Sequence, residues 1–230
     1  MDYQGRTVVI TGGIGGLGTA VVEALLSAGA TCHVPHRGEA ARGHRGHERL
    51  SLHPGIDLTD EDAVAHFYQQ IPRLWASIHI AGGFAAGPVA TAGKSVLASL
   101  LDMNLVTCYL CCRSAMASMT ATPSGGRIVN VAARPALEWR SGAGMAAYTA
   151  SKAAVAAFTV ALAEEVVKNN VLVNAVAPSI LDTEANRKAM PNADHAAWPK
   201  VEDVAQTILF LASPDNKVTR GAIVPVYGRV

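Results

Sequence analysis

Short β-branched and aliphatic runs alternate along the chain with longer stretches whose apolar positions recur every three or four residues. Thr7-Val-Val-Ile-Thr11 is uninterrupted, which predicts a strand buried on both faces of a parallel sheet. Similar runs at Thr31–Pro35, Leu50–His53, Ser77–Ile80, Arg127–Ala132, Val171–Ala177 and Gly221–Val226 predict six more strands. Between the first two, Leu17, Ala20, Val21, Ala24, Leu25 and Ala28 share one helical face, and Gly29 ends that helix. Thr59 or Asp60 is expected to cap a second helix, and Ser95–Met119 to form one long helix. The helix containing Tyr148 is expected to reach Lys168, and Val201, Val204, Ala205, Ile208, Leu209 and Ala212 mark the last. This alternation predicts an α/β fold: a single doubly wound domain over residues 1–230, with a seven-stranded parallel sheet flanked by helices.

Composition changes the picture little. Half the residues are hydrophobic and 16% charged, enough for one large core, and a net charge of +1 gives no field for nucleic acid or a membrane surface. Arg37, Arg42, Arg45 and Arg49 outnumber Glu39 and Glu48 in a stretch without apolar period, which reads as a basic loop. Cys108 and Cys111 form a C-x-x-C without a second pair or His cluster, and His44 and His47 lack partner ligands, so no metal is expected. With Cys112 they fall in an apolar helical segment, where free buried thiols suit a reducing cytosol. No basic-then-apolar leader precedes Thr7, and the longest uncharged apolar run, Ala153–Ala163, is short of a membrane span. A cytoplasmic protein is the expectation.

Two stretches carry chemistry. Gly12-Gly13-Ile14-Gly15-Gly16-Leu17-Gly18 turns from the first strand into the first helix, where backbone N–H groups can approach a pyrophosphate at the positive helix end. Tyr148 and Lys152, four apart, share one helical face. An ammonium beside a phenol favours the phenolate, easing proton transfer from a group that ionises near ~10. At the end of the second strand, where an acid would suit the ribose hydroxyls of NAD, the chain has His36-Arg37; Arg37 suits a 2′-phosphate, so NADP is preferred over NAD.

Thr11-Gly12-x-x-x-Gly16-x-Gly18 together with Tyr148-x-x-x-Lys152 resembles the short-chain dehydrogenase/reductase family, a Rossmann-type fold. Matches continue at Asp57, Asn104, Asn130, Pro178 through Thr183 and Val201–Ala205. The resemblance implies an NAD(P)-dependent oxidoreductase with Tyr148 as general acid/base. Lys152 would lower its pKa and hold the nicotinamide ribose, and Asn104 would support a proton-relay water. Residues 1–110 would mainly bind the dinucleotide, through Thr11, Gly12, Ile14, Gly16, Leu17, Gly18, His36, Arg37, Asp57 (to the adenine), Leu58, Ala81, Gly82 and Gly83. Residues 111–230 would add Tyr148, Lys152, Pro178, Leu181 and Thr183 (to the carboxamide), with 178–200 as a substrate lid.

The chain departs from the family twice. Ala132-Ala133 stands where a substrate-binding Ser is usual, and His79-Ile80-Ala81-Gly82 replaces Asn-Asn-Ala-Gly. Ala81-Gly82-Gly83-Phe84, the missing Ser, Leu181-Asp182-Thr183, Asn186-Arg187-Lys188, Met190-Pro191, Ala193-Asp194 and Trp198 resemble dihydropteridine reductases, although those prefer an acid at the position of Arg37. That branch implies hydride transfer to an activated C=N or C=O of a small molecule, with Phe84, Ala133 and Trp198 at the substrate. The alternatives are a ketone reductase in which Ser141 or a water replaces the Ser, and a non-catalytic dinucleotide-binding protein. Small residues such as Ala153, Ala154, Ala156 and Ala157 lead us to expect a homodimer or homotetramer through the long helices.

Overall fold

The β-branched runs become seven parallel strands: β1 (Thr7–Thr11), β2 (Thr31–His36), β3 (Leu50–Pro54), β4 (Leu74–His79), β5 (Gly126–Val131), β6 (Val171–Pro178) and β7 (Ile223–Val226). Our computed structural model describes residues 1–38 and 47–230; the part of the basic loop holding Glu39, Arg42, His44 and Arg45 lies outside the described residues. The strand order is β3-β2-β1-β4-β5-β6-β7. Every residue of β4 and β6 is buried, as continuous apolar runs require when helices cover both faces.

Seven α-helices are described: α1 (Gly16–Ser27), α2 (Glu61–Gln69), α3 (Lys94–Leu101), α4 (Thr107–Thr120), α5 (Ala146–Glu165), α6 (Glu184–Ala189) and α7 (Val201–Ala212). On one face of the sheet, α1 and α7 bury Val21, Leu25, Ile208 and Leu211 against β1, β2 and β4. On the other, α2, α4 and α5 bury Phe67, Tyr68, Cys111, Met119 and Val155. Asp60, not Thr59, caps α2, its Oδ1 accepting from the N–H groups of Asp62 and Ala63 at 3.0 Å each.

Several boundaries differ from the pattern, each for a local reason. β4 starts at Leu74 rather than Ser77, directly after Arg73 at φ 46°, with Trp75 buried and its Nε1 donating to the Ala212 carbonyl at 2.9 Å. β7 starts two residues after Gly221, whose φ of 63° is not a strand conformation. α5 stops at Glu165, and a 3₁₀ turn over Val167–Asn169 leads to left-handed Asn170 at φ 56°. The expected single helix over Ser95–Met119 is interrupted by a π turn, Asp102–Val106. Counted through that turn, Lys94–Thr120 and also Ala146–Glu165 are long and apolar enough, by length and composition, to cross a membrane, which the count of uncharged runs overlooked. Here one side of each packs on the sheet, while Leu97, Tyr109 and Val160 stay exposed.

The sheet order reverses between β1 and β4, so the connections leaving these strands diverge and open a crevice at their C-terminal ends. The glycine turn occupies it under tight steric limits. Gly12 has φ 70°, and a Cβ there would lie 2.7 Å from the backbone nitrogen of Ala81. A Cβ on Gly18 would lie 2.0 Å from the Gly12 carbonyl oxygen, whereas one on Gly15 would meet it at an ordinary 3.4 Å. Gly18→Ala is therefore expected to destabilise the fold by about 1–3 kcal/mol and weaken dinucleotide binding, while Gly15→Ala stays within about 0.5 kcal/mol of wild type. Urea unfolding of both variants checks this, equal midpoints counting against it.

Candidate active site

The crevice is a groove of about 790 Å³ running from His36 and Arg37 past the glycine turn to Gly82. Of the residues expected to hold a dinucleotide, Gly12, Ile14, Gly16, Leu17, Gly18, His36, Arg37, Leu58, Ala81 and Gly82 line it. Ser99, Asp102, Met103 and Thr107 line it too; they come from α3, the π turn and the start of α4, on either side of a break that the periodicity concealed. Thr11 is buried behind the groove, its Oγ1 accepting from the Ala81 N–H at 3.3 Å.

At the far end Arg37 is already paired. Its guanidinium donates to the Asp57 carboxylate and, at 3.2 Å, to Thr59 Oγ1. Asp57 also accepts from the backbone N–H and the hydroxyl of Thr59, at 2.8 and 2.6 Å. Those bonds, the Thr59 hydroxyl first, hold its carboxyl down at about 2. Buried His36 points its Nδ1 at the Gly38 carbonyl.

The reacting end is built on α5. Lys152 is buried, and its Nζ donates to the Val131 carbonyl at 2.8 Å, at the end of β5. Burial lowers the ammonium to about 8 and raises the half-buried Tyr148 phenol to about 12. In this state the phenol is not drawn down by the lysine as the spacing suggested: desolvation dominates at both groups. Nζ also faces Gly82, where a Cβ would lie 3.4 Å from it, so the lysine stands at the end of the groove.

Asn104, carried inward by the π turn, is 1% exposed and ties three segments together. Its amide nitrogen donates to the Gly83 carbonyl at 3.1 Å and to Ser151 Oγ at 3.0 Å, while its oxygen accepts from the Gly83 N–H at 2.9 Å. Ser151 Oγ in turn donates to the Tyr148 carbonyl at 2.8 Å. Both amide donors are thus committed to positioning the 81–83 segment against α5. Ser151 escaped the motif reading although it lies inside Tyr148–Lys152; only the fold reveals what it holds.

The remaining predicted residues separate. Phe84 is 63% exposed and sets its ring edge-on to Tyr148, centroids 4.9 Å apart at 78°. Ala133 is buried at the end of β5, where no hydroxyl is available, and Ser141 Oγ donates to the Glu138 carbonyl at 2.7 Å, so its hydroxyl is engaged in its own turn. Trp198 is buried too, packed against the His195 ring at 4.6 Å, so it braces the lid rather than lining an open site. The lid is pinned at its base, Asp182 N–H to the Pro199 carbonyl at 3.0 Å. Pro178 ends β6, Leu181 packs on the α1/α7 core, and Thr183 caps α6. Thr183 also reaches over the glycine turn: a Cβ on Gly16 would lie 3.0 Å from its methyl.

These residues fit a dinucleotide. No side chain caps the N-terminus of α1, which opens its N–H groups to an anion, and the close approaches at Gly12 and Gly18 leave no room for a side chain over the turn. The exposed cation of Arg37 suits a phosphate at the groove's other end.

Known proteins share this sequence pattern and fold. The family model described as short chain dehydrogenase matches residues 6–194. The chain is 28% identical over 239 residues to 3-oxoacyl-[acyl-carrier-protein] reductase MabA of Mycobacterium tuberculosis, covering 98% of this chain and 93% of that protein. It is 29% identical over 251 residues to 3-oxoacyl-[acyl-carrier-protein] reductase FabG of Aquifex aeolicus, covering 99% and 98%. Among solved structures, ElxO with NADP bound superposes with a TM-score of 0.87 at 25% identity, over 97% of each chain. A blue fluorescent protein from a metagenomic library, in complex with NADPH, gives 0.87 at 26% identity over 99% and 98%. With the glycine turn, the Tyr148/Lys152 pair and the seven-stranded sheet all in place, the chain belongs to the short-chain dehydrogenase family of oxidoreductases.

Proposed function

We propose that the protein reduces an activated C=N or C=O group of a flat small molecule, using NADPH and a single side-chain proton donor, Tyr148. The observation that carries this reading is the donor count at the reacting end: Tyr148 offers a protonated phenol, whereas Ala133 has no hydroxyl and that of Ser141 is engaged elsewhere. A plain ketone gains much from a second donor to its developing oxyanion; a conjugated, easily reduced group gains less. Exposed Phe84 beside Tyr148 offers a ring face to such a molecule, and the site loops resemble those of dihydropteridine reductases.

Bound NADPH supplies the hydride. The chain's own part is to hold and to protonate. The glycine turn and the α1 N-terminus take the pyrophosphate, and Arg37 the 2′-phosphate. Lys152 keeps a positive charge beside the groove, and Asn104 fixes the 81–83 segment that borders it. Tyr148 at about 12 is a weak acid at neutral pH, yet it still favours proton transfer to an alkoxide-like oxygen, whose conjugate acid ionises near the ~15.7 of water. A second reading, reduction of an ordinary ketone such as a 3-oxoacyl group, draws support from the names of the MabA and FabG relatives. Retention of Tyr148, Lys152 and Asn104 together argues against a binding-only protein, which has no use for a proton donor. Four free, buried cysteines suit work in the reducing cytoplasm.

Tyr148→Phe should cut turnover by at least about 10²-fold with NADPH affinity nearly unchanged, because the hydroxyl serves the chemical step. The pH profile has a fixed sign. Lys152 loses its charge as pH rises through about 8, and with it the cation that stands at the end of the groove, so reduction should decline above pH 8. Oxidation, which needs the phenolate, should climb over the same range. Lys152→Arg, charged throughout, should lose the decline whatever its absolute rate. Reduction that stays level to pH 10 in the wild type would remove Lys152 from this role.

Ala133→Ser separates the two substrate readings. On a quinonoid pterin or a quinone the added hydroxyl should change kcat/KM by no more than a few-fold. On a small ketone it should raise the rate, since one oxyanion donor can contribute ~2.7–4 kcal/mol. A wild type silent on all three substrates beside an active Ala133→Ser variant would sink the mechanism that dispenses with the Ser.

We further assign the exposed apolar sides of α3–α4 and α5, with Leu97, Tyr109 and Val160, to contact with further copies of the chain. Multi-angle light scattering at micromolar concentration should give a dimer or tetramer. Tyr109→Glu with Val160→Glu should give monomer; a monomeric wild type refutes the assignment.

A further inference from the structure

Beneath the α5 site the fold gathers a set of side chains that the motifs do not account for. His79, one of the residues that depart from the family pattern, ends β4, and Cys108 and Cys112 lie one turn apart on the same side of α4. All three are buried, and one ligand atom from each, a ring nitrogen and the two Sγ, falls within 4.8 Å of the other two. Spacing in the sequence pairs Cys108 with Cys111; the fold instead pairs Cys108 with Cys112 and brings His79 to both from 29 residues away or more. We propose that His79, Cys108 and Cys112 form a closed structural site for one zinc ion.

The distances are close to what the metal requires. Zinc binds imidazole nitrogen at ~2.0–2.1 Å and thiolate at ~2.3 Å, so donors around a tetrahedral ion lie about 3.5–3.8 Å apart. His79 Nδ1 and Cys112 Sγ are 3.3 Å apart. Asn130 Oδ1 is 3.5 Å from Cys112 Sγ and hydrogen-bonded to His79 Nδ1 at 2.8 Å, so it would draw back by about half an ångström from Nδ1 to serve as the fourth donor. Its orientation is fixed from behind, because Asn130 Nδ2 donates to Thr159 Oγ1 at 2.9 Å.

An outer layer is present as well. His79 Nε2 is 2.8 Å from Ser77 Oγ, which is 2.8 Å from the Tyr68 hydroxyl. Metal at Nδ1 displaces the proton now shared with Asn130 to Nε2, where Ser77 Oγ accepts it; metal-bound histidines are characteristically oriented by such a bond. Binding releases the two thiol protons, and two thiolates then neutralise a dication. That balance favours Zn²⁺ over Cu⁺, which would leave a net negative charge in the core. With all donors from the protein and no open position, the site would brace β4, β5 and α4 without touching substrate.

Produced in zinc-supplemented medium and dialysed against a chelator, the full-length protein should retain about one zinc per chain. Produced with cobalt in place of zinc, it should display a thiolate-to-cobalt charge-transfer absorption. Cys112→Ser should remove that absorption, and Cys111→Ser should keep it. Should Cys112→Ser fail to fold, the cobalt spectrum and zinc content of the wild type decide alone. A wild type with less than about a tenth of an equivalent of zinc and no charge-transfer band overturns the site. Loss of the band in Cys111→Ser but not Cys112→Ser overturns the ligand assignment.

Discussion

The near-contact of two backbones, Gly12 against Ala81, is the constraint on which the site rests. It exists because the strand order reverses between β1 and β4, so the chain ends leaving these strands part company over a common crevice. Register then does the positioning: Thr11 lies opposite His79, and the residues after each strand border the groove together. Asn104 carries the constraint into the second half of the molecule, bonding Gly83 on one side and Ser151 of α5 on the other. A displacement of the glycine turn would therefore reach Lys152 through two short links.

Much of this was legible in the residues. Buried parallel strands announce themselves as continuous β-branched runs, and the glycine turn stood between such a run and an amphipathic helix, the only local context in which it means phosphate. Asp57 and Thr183 were singled out through resemblance rather than pattern, and their cofactor roles remain proposals. The π turn was hidden because an extra residue in a helical coil leaves the apolar period nearly unchanged over one turn, yet it decides which way Asn104 faces. Trp198 was ambiguous for a different reason: an aromatic in a polar segment serves a lid or a ligand equally well, and only its packing on His195 separates the two.

Electrostatics was the least legible part. Tyr and Lys four apart suggest a charge helping a phenol, an argument that assumes the two share a well-solvated face. In the fold both are withdrawn from water, and the cost of charging each in a poor solvent outweighs their mutual effect: one group rises and the other falls. The same burial leaves Lys152 with a backbone carbonyl as its partner, so its charge is available to whatever occupies the groove rather than neutralised by an internal acid.

If Arg37 takes the 2′-phosphate as proposed, its ion pair with Asp57 makes cofactor selection an exchange reaction. An exposed pair of this kind contributes only about 0–1 kcal/mol, so releasing Arg37 costs little. Asp57 is not stranded by the release, because both groups of Thr59 still bond its carboxylate. A dinucleotide bearing a 2′-phosphate offers the guanidinium a dianion in place of a carboxylate, whereas one without it leaves the pair as it was. On that proposal the chain would discriminate through the partner its arginine gives up, a form of selectivity that weakens as salt rises and that a neutral residue at position 57 would shift without touching the phosphate contact itself.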